Sequence, residues 1–316
     1  MRLYHEHASP DRIAVVSTLV FSPDSNSLVS GSLDGSVVLY DSVGPCQSLD
    51  HQADFDSGSA RLFPGLAYVS HPRMGVIPAG IAFLDNETLA RGGKEGLYRY
   101  VHYDDGWRFH ACYPFRSDIT ALATISPRLL AVASGEPEPA TPGMLELYDI
   151  QTRQTREPSF REPYGVRAVA ASPEKMLVAW STGQKELKAW DVRRQTPQHY
   201  PASHASAAIA LAPDGSALAA ALDWTVRVID LNKKQDRCVL KGHKGRVTAV
   251  AFGPNNSIVA TGGWDETVRL WDAATGRELA VYQWPIGKVF SLVYAPDGLR
   301  LAAGGNRGSV VIWDAE

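Results

Sequence analysis

The chain has 316 residues, 45 % hydrophobic and 21 % charged, with a formal net charge of −3. That composition suits a large buried core, and the balance of 31 basic against 34 acidic residues gives no reason to expect a nucleic-acid or anionic-membrane surface. Cys46, Cys112 and Cys238 lie far apart with no Cys-x-x-Cys pair, so neither a thiolate zinc site nor a disulfide framework is signalled, a cytoplasmic location is expected, and no apolar run is long enough to span a bilayer.

The first residues, Arg2-Leu3-Tyr4-His5-Glu6, precede the first repeating unit and have no place inside it. That unit reads as an apolar strand, the turn Ser22-Pro23-Asp24, a second strand ending Ser30-Gly31-Ser32, and a third strand reaching Tyr40. The same order then recurs down the chain. The turn between the first two strands returns as Ser126-Pro127, Ser172-Pro173, Ala212-Pro213-Asp214-Gly215, Gly253-Pro254 and Ala295-Pro296-Asp297-Gly298. Proline presets φ for such a turn, and Asp or Gly completes it. The residue closing the third strand is Tyr40, Tyr100, Tyr148, Trp190, Ile229, Trp271 and Trp313, at spacings of 60, 48, 42, 39, 42 and 42. Short strands at this period, with no helical periodicity, predict an all-β repeat protein whose units bury their faces only against one another.

The sixth unit carries the clearest pattern: Gly242-His243, Thr261-Gly262-Gly263-Trp264-Asp265, and Trp271-Asp272. It resembles the WD repeat, and the likeness, degenerate in the second and third units, extends over nearly the whole chain. The resemblance implies a single domain over residues 1–316, a closed seven-bladed β-propeller of four-stranded antiparallel blades. The blades are expected near 13–51, 76–114, 119–161, 166–202, 206–241, 247–284 and 289–314 plus 1–7. The last unit ends just after its third strand, so the N-terminal residues are expected to supply its outer strand and remove an exposed sheet edge.

The resemblance also assigns His243, Thr261, Asp265 and Trp271 to a structural tetrad, in which carboxylate, imidazole, hydroxyl and indole N–H form one chain. The alternative, an Asp/His/Thr catalytic set, is disfavoured because the family places this network inside the blade. Asp34 and Ser30 survive from the set in the first unit and Asp223 in the fifth, while Arg307 replaces the Asp in the seventh. The spacing of His5 and His7 is metal-like, but no third ligand is apparent, and the pair reads as an exposed strand. The stretch Gly92-Gly93-Lys94-Glu95-Gly96 lacks the spacing of a phosphate loop and reads as a turn. No cofactor and no metal are expected.

Two insertions, residues 52–72 and 135–143, fall in connections expected on one rim of the ring, where a repeat protein often binds. Candidate partner contacts on that rim are Trp264, Arg246, Lys244, Trp224, Leu222, Phe290, Lys288, Arg307, Arg167 and Tyr164, since exposed aromatics beside arginines are typical interface anchors. The expected function is a protein-interaction scaffold or adaptor, non-enzymatic, working as a monomeric propeller within a larger assembly. Its partners would be proteins or peptide segments, with no specific nucleic acid and no membrane. The competing readings are recognition of a peptide or small ligand at the channel mouth and a propeller hydrolase.

Overall fold

Each proline turn picked out in the sequence joins two antiparallel strands, and the apolar residues on either side become paired sheet positions. The computed structural model describes residues 2–4, 15–33, 37–41, 45–48, 80–93, 96–103, 106–115, 117–135, 142–194 and 196–315. Asp34, the pair His5 and His7, Lys94-Glu95, the 52–72 insertion and the centre of the 135–143 connection lie outside them.

Among the described residues, twenty-eight strands form seven four-stranded antiparallel sheets. The first blade is β2 (Val16–Phe21), β3 (Ser27–Ser32), β4 (Val37–Asp41) and β5 (Pro45–Ser48), and the second is β6 (Ile81–Phe83), β7 (Thr88–Gly92), β8 (Gly96–Tyr103) and β9 (Gly106–Pro114). The third is β10 (Ile119–Ser126), β11 (Leu129–Gly135), β12 (Gly143–Asp149) and β13 (Gln154–Glu162), and the fourth is β14 (Val166–Ser172), β15 (Leu177–Thr182), β16 (Glu186–Asp191) and β17 (Gln198–Pro201). The fifth is β18 (Ile209–Leu211), β19 (Ala217–Leu222), β20 (Thr225–Asp230) and β21 (Gln235–Lys241), and the sixth is β22 (Val247–Phe252), β23 (Ile258–Gly263), β24 (Thr267–Asp272) and β25 (Glu278–Gln283). The seventh combines β26 (Val289–Tyr294), β27 (Arg300–Gly305) and β28 (Val310–Asp314) with β1 (Arg2–Tyr4), which pairs antiparallel with β28 in the register Arg2↔Ile312, Leu3↔Val311 and Tyr4↔Val310. No described helix is long and apolar enough to cross a membrane.

The core is divided among the seams between blades. Seven apolar clusters each draw on two neighbouring blades, and one of them joins the last blade to the first through Ala295, Ala302 and Val310 against Val16, Leu19 and Tyr40. Burial at about 25 cal/mol per Å2 therefore accrues only when blades stack, and a lone blade would expose both faces. The 7–1 seam is close: a Cβ on Gly304 would stand 2.4 Å from Val16 Cγ1, so only glycine lets these blades approach. Ser291 Oγ donates to the Val16 carbonyl across the same seam at 3.0 Å, and the Asp297 N–H donates to Ser25 Oγ at 2.9 Å.

Alternating strand direction puts the β2–β3 type of turn on one rim. The other rim carries the turns between the second and third strands and the connections between blades. The 52–72 insertion joins β5 to β6 and the 135–143 stretch joins β11 to β12, so the strand ends they connect belong to that second rim. On the inner strands a β-bulge recurs just below it, at Ser17, Thr120, Arg167, Thr248 and Phe290. A bulge re-aims one side chain of a strand. Three blades place a hydroxyl there, and two place the larger Arg167 and Phe290.

Candidate partner-binding rim

The connection leading into β22 and the turn after β23 meet in the sixth blade. His243 Nδ1 lies 2.9 Å from Asp265 Oδ2, and His243 Nε2 lies 2.7 Å from Thr261 Oγ1. The Trp271 indole N–H donates to the same Thr261 oxygen at 2.8 Å. With Asp265 ionised, the Nδ1–H donates to it and Nε2 accepts from the Thr261 hydroxyl, which is the neutral tautomer. Burial, the largest influence on His243, pushes its pKa down from 6.5 and outweighs the pull of the Asp265 carboxylate. Burial would raise Asp265, but the Lys244 N–H, His243 and Thr267 hold its carboxyl below the ordinary value. Thr261 has no solvent exposure, so its hydroxyl cannot meet a substrate, and the chain of hydrogen bonds ties a loop to a strand.

The remaining sequence candidates all belong to the connection rim or the strand ends below it, but they differ in access. Trp224 is 55 % exposed and Tyr164 43 %, and Lys244 and Arg307 are exposed. Trp264, Arg246, Lys288, Phe290 and Arg167 are half-buried. Leu222 does not belong to an accessible sector: it is 7 % exposed, turned inward at the end of β19, where the two-residue turn Asp223-Trp224 presents the indole instead. Trp264 is also more enclosed than its position before Asp265 suggested. Its indole nitrogen is buried and has no hydrogen-bond partner among the described residues. Its ring carries the Lys288 ammonium 4.7 Å from the centroid and the Arg246 guanidinium at 6.0 Å. Among the described residues no three His, Cys, Asp or Glu side chains converge in a way that could hold a metal ion.

A family model for the WD domain, G-beta repeat, matches residues 2–41, 234–272 and 276–314, which lie on the first, fifth, sixth and seventh of the seven four-stranded antiparallel blades. The chain is a WD-repeat β-propeller. No curated protein matches the sequence.

Each matched WD repeat is staggered against the blades: it takes the outer strand of one and the three inner strands of the next. Residues 2–41 cover β1 to β4, 234–272 cover β21 to β24, and 276–314 cover β25 to β28. The first repeat therefore begins inside the seventh blade, and the stagger itself locks the ring.

The other WD blades depart from the tetrad in instructive ways. In the first, Ser30 Oγ donates to Tyr40 Oη at 3.2 Å. In the fifth, Ala220 takes the hydroxyl position, His204 is exposed, and Asp223 is exposed at φ 61°, so no network forms there. In the seventh, Ala303 replaces the hydroxyl, and the buried Trp313 indole nitrogen has no partner among the described residues. The fourth blade holds a network that sequence reasoning missed. Glu162 stands four residues ahead of Val166, as His243 stands four ahead of Val247. The Trp180 indole N–H, at the Thr261 position, donates to Glu162 at 2.8 Å, and the Lys188 ammonium donates to both Glu162 oxygens at 2.9 Å. Lys188 also faces Glu186 at 3.4 Å, and Glu186 meets His199 at 2.6 Å. One buried carboxylate thus does in this blade what imidazole and hydroxyl do in the sixth.

Proposed function

We propose that this WD-repeat propeller is a non-enzymatic docking scaffold, binding partner proteins on the rim that carries its inter-blade connections. The observation that carries the reading is the contrast between its polar groups. Those of the sixth and fourth blades are closed into buried networks, while the large exposed groups of the connection rim, Trp224 and Tyr164 with Lys244 and Arg307, are left facing solvent. Exposed aromatics beside cations are the side chains that most often anchor protein interfaces. The reading includes a monomeric propeller inside a larger cytoplasmic assembly.

Affinity purification with mass spectrometry from the native organism tests it, with Trp224→Ala/Lys244→Ala as the comparison bait. The unaltered chain should recover a reproducible set of proteins, and the double variant should lose part of that set while melting at the same temperature. Recovery of no protein by the unaltered chain would overturn the scaffold, and undiminished recovery by the variant would exclude this rim.

A further inference from the structure

Four cations and one aromatic ring form a continuous strip on the connection rim over the sixth and seventh blades. Arg246 precedes β22, and its carbonyl accepts the Trp264 N–H at 2.9 Å. Trp264 in turn carries the Arg246 and Lys288 head groups near its ring. Lys288 is locked to the next turn by two hydrogen bonds: its N–H donates to Asn306 Oδ1 at 2.9 Å, and its carbonyl accepts the Asn306 N–H at 3.0 Å. Arg307 follows, with its Nε 3.2 Å from where a Cβ on Gly287 would stand; Gly287, at φ +72°, makes room first for the Asn306 amide oxygen, 2.3 Å from the same point. Lys244 extends the strip on the other side, beside Asp265.

None of Lys244, Arg246, Lys288 and Arg307 makes an ion pair among the described residues. By contrast Arg227, Arg237, Arg269 and Arg300 on the sides of the fifth, sixth and seventh blades are each matched to a carboxylate. Among the described residues, three carboxylates share this part of the rim. Asp265 is taken up by His243 and the Lys244 N–H, which leaves Glu266 in the same turn and Asp223 one blade away. Among the described residues the strip therefore carries a surplus of positive charge, on a chain whose overall charge is −3. The indole holds two of the cations in place before any ligand arrives, which lowers the ordering cost of binding.

We infer that this strip binds an acidic peptide segment of a partner protein, its carboxylates paired with Arg246, Lys288 and Arg307. The inference rests on the docking reading above and names the partner chemistry. Single-stranded nucleic acid fits less well, because it needs an open aromatic face on which bases stack, and the Lys288 ammonium lies over the face of Trp264.

The test is fluorescence anisotropy with three labelled peptides of about ten residues, rich in Glu, rich in Lys, or neutral, and an oligonucleotide of equal negative charge, at roughly 50 mM salt, where surface charge is weakly screened. The Glu-rich peptide should bind best. Arg246→Glu/Lys288→Glu should weaken it by about tenfold or more, while Lys233→Glu, a charge reversal on the opposite rim, should leave it within about twofold. If the double variant melts early, Arg307→Glu alone should still weaken binding about threefold. Equal binding of the three peptides, tighter binding of the oligonucleotide, or indifference to these reversals would overturn the inference. Partner recovery by the Arg246→Glu/Lys288→Glu protein separates the two readings: a full set recovered would leave the scaffold standing and remove the basic strip as its docking site.

Discussion

A neutral imidazole is what the surroundings of His243 require, and this has a consequence for pH. Its folded pKa is lowered from 6.5, so the unfolded chain takes up the proton first as the solution is acidified. The stabilisation it supplies is complete above 6.5 and is lost as pH falls toward the folded value. Asp265, lowered from 3.8, adds a further loss at more acidic pH, in the same direction. His243→Gln should therefore melt lower than the parent at pH 7 and show a flatter dependence of Tm on pH between 7 and 5, measured by differential scanning fluorimetry. Parallel curves would show that the imidazole is not held neutral. Glu162 permits a different test, because a buried ion pair is expensive to break and often cheap to replace whole. Glu162→Leu, leaving Lys188 only the longer contact with Glu186 at 3.4 Å, should cost about 3 kcal/mol in denaturant unfolding, and Glu162→Leu/Lys188→Met should cost less than the single change. A double variant worse than the single one would mean that Lys188 stabilises the blade without Glu162, through Glu186. The sixth-blade residues were legible in the sequence because they match a familiar pattern. Glu162 was not, because its partners Trp180 and Lys188 are ordinary residue types for a strand. The available signal was register: once Trp190 is aligned with Trp271, Trp180 falls on Thr261 and Lys188 on Arg269.

At the scale of the element, strand order and turn positions were legible because Pro-Asp and Gly-rich turns interrupt a period of about 42 residues. The bulge on the inner strands was not, since it follows from the pairing register and leaves no composition of its own. Hidden for the same reason were the latches on the rim opposite the connections, where the N–H of a turn Asp donates to a side chain of the next blade. Asp24 donates to Asn86 at 3.0 Å, Asp214 to Asn256 at 3.1 Å and Asp297 to Ser25 at 2.9 Å. The inward turn of Leu222 was missed because its turn is one residue shorter than that of the sixth blade, which exchanges the exposed position from Leu222 to Trp224. The short strand β1 carries the heaviest structural duty per residue. Without it β28 becomes an open edge, and the 7–1 seam keeps only its side-chain contacts. Removing residues 1–8 should lower Tm by several degrees and promote aggregation, read by scanning calorimetry with light scattering. A truncated chain that melts like the parent would show that β1 adds nothing to closure.

The whole molecule is a ring whose stability is shared among its seams, and it is expected to fail by opening at one of them rather than by loss of a single core. That follows from seven clusters of comparable make-up, none of which belongs to one blade. The arrangement also explains how one chain can vary its polar networks so widely. The seams hold the blades together through apolar contact, so a blade can exchange its tetrad for the Glu162 network, or lose it as the fifth does, without losing its place. The same division frees the connection rim to carry groups that do not contribute to the fold, including the cations over the sixth and seventh blades. The ring is closed only where β1 lies beside β28. The direct measurement is a cross-link between them: Leu3→Cys/Val311→Cys places two thiols on directly opposed residues of an antiparallel pair, a separation that a disulfide can bridge. Under mild oxidation, peptide mass spectrometry should find residues 3 and 311 joined within one molecule at high yield. Joining only between molecules, or no joining at all, would contradict the closed ring.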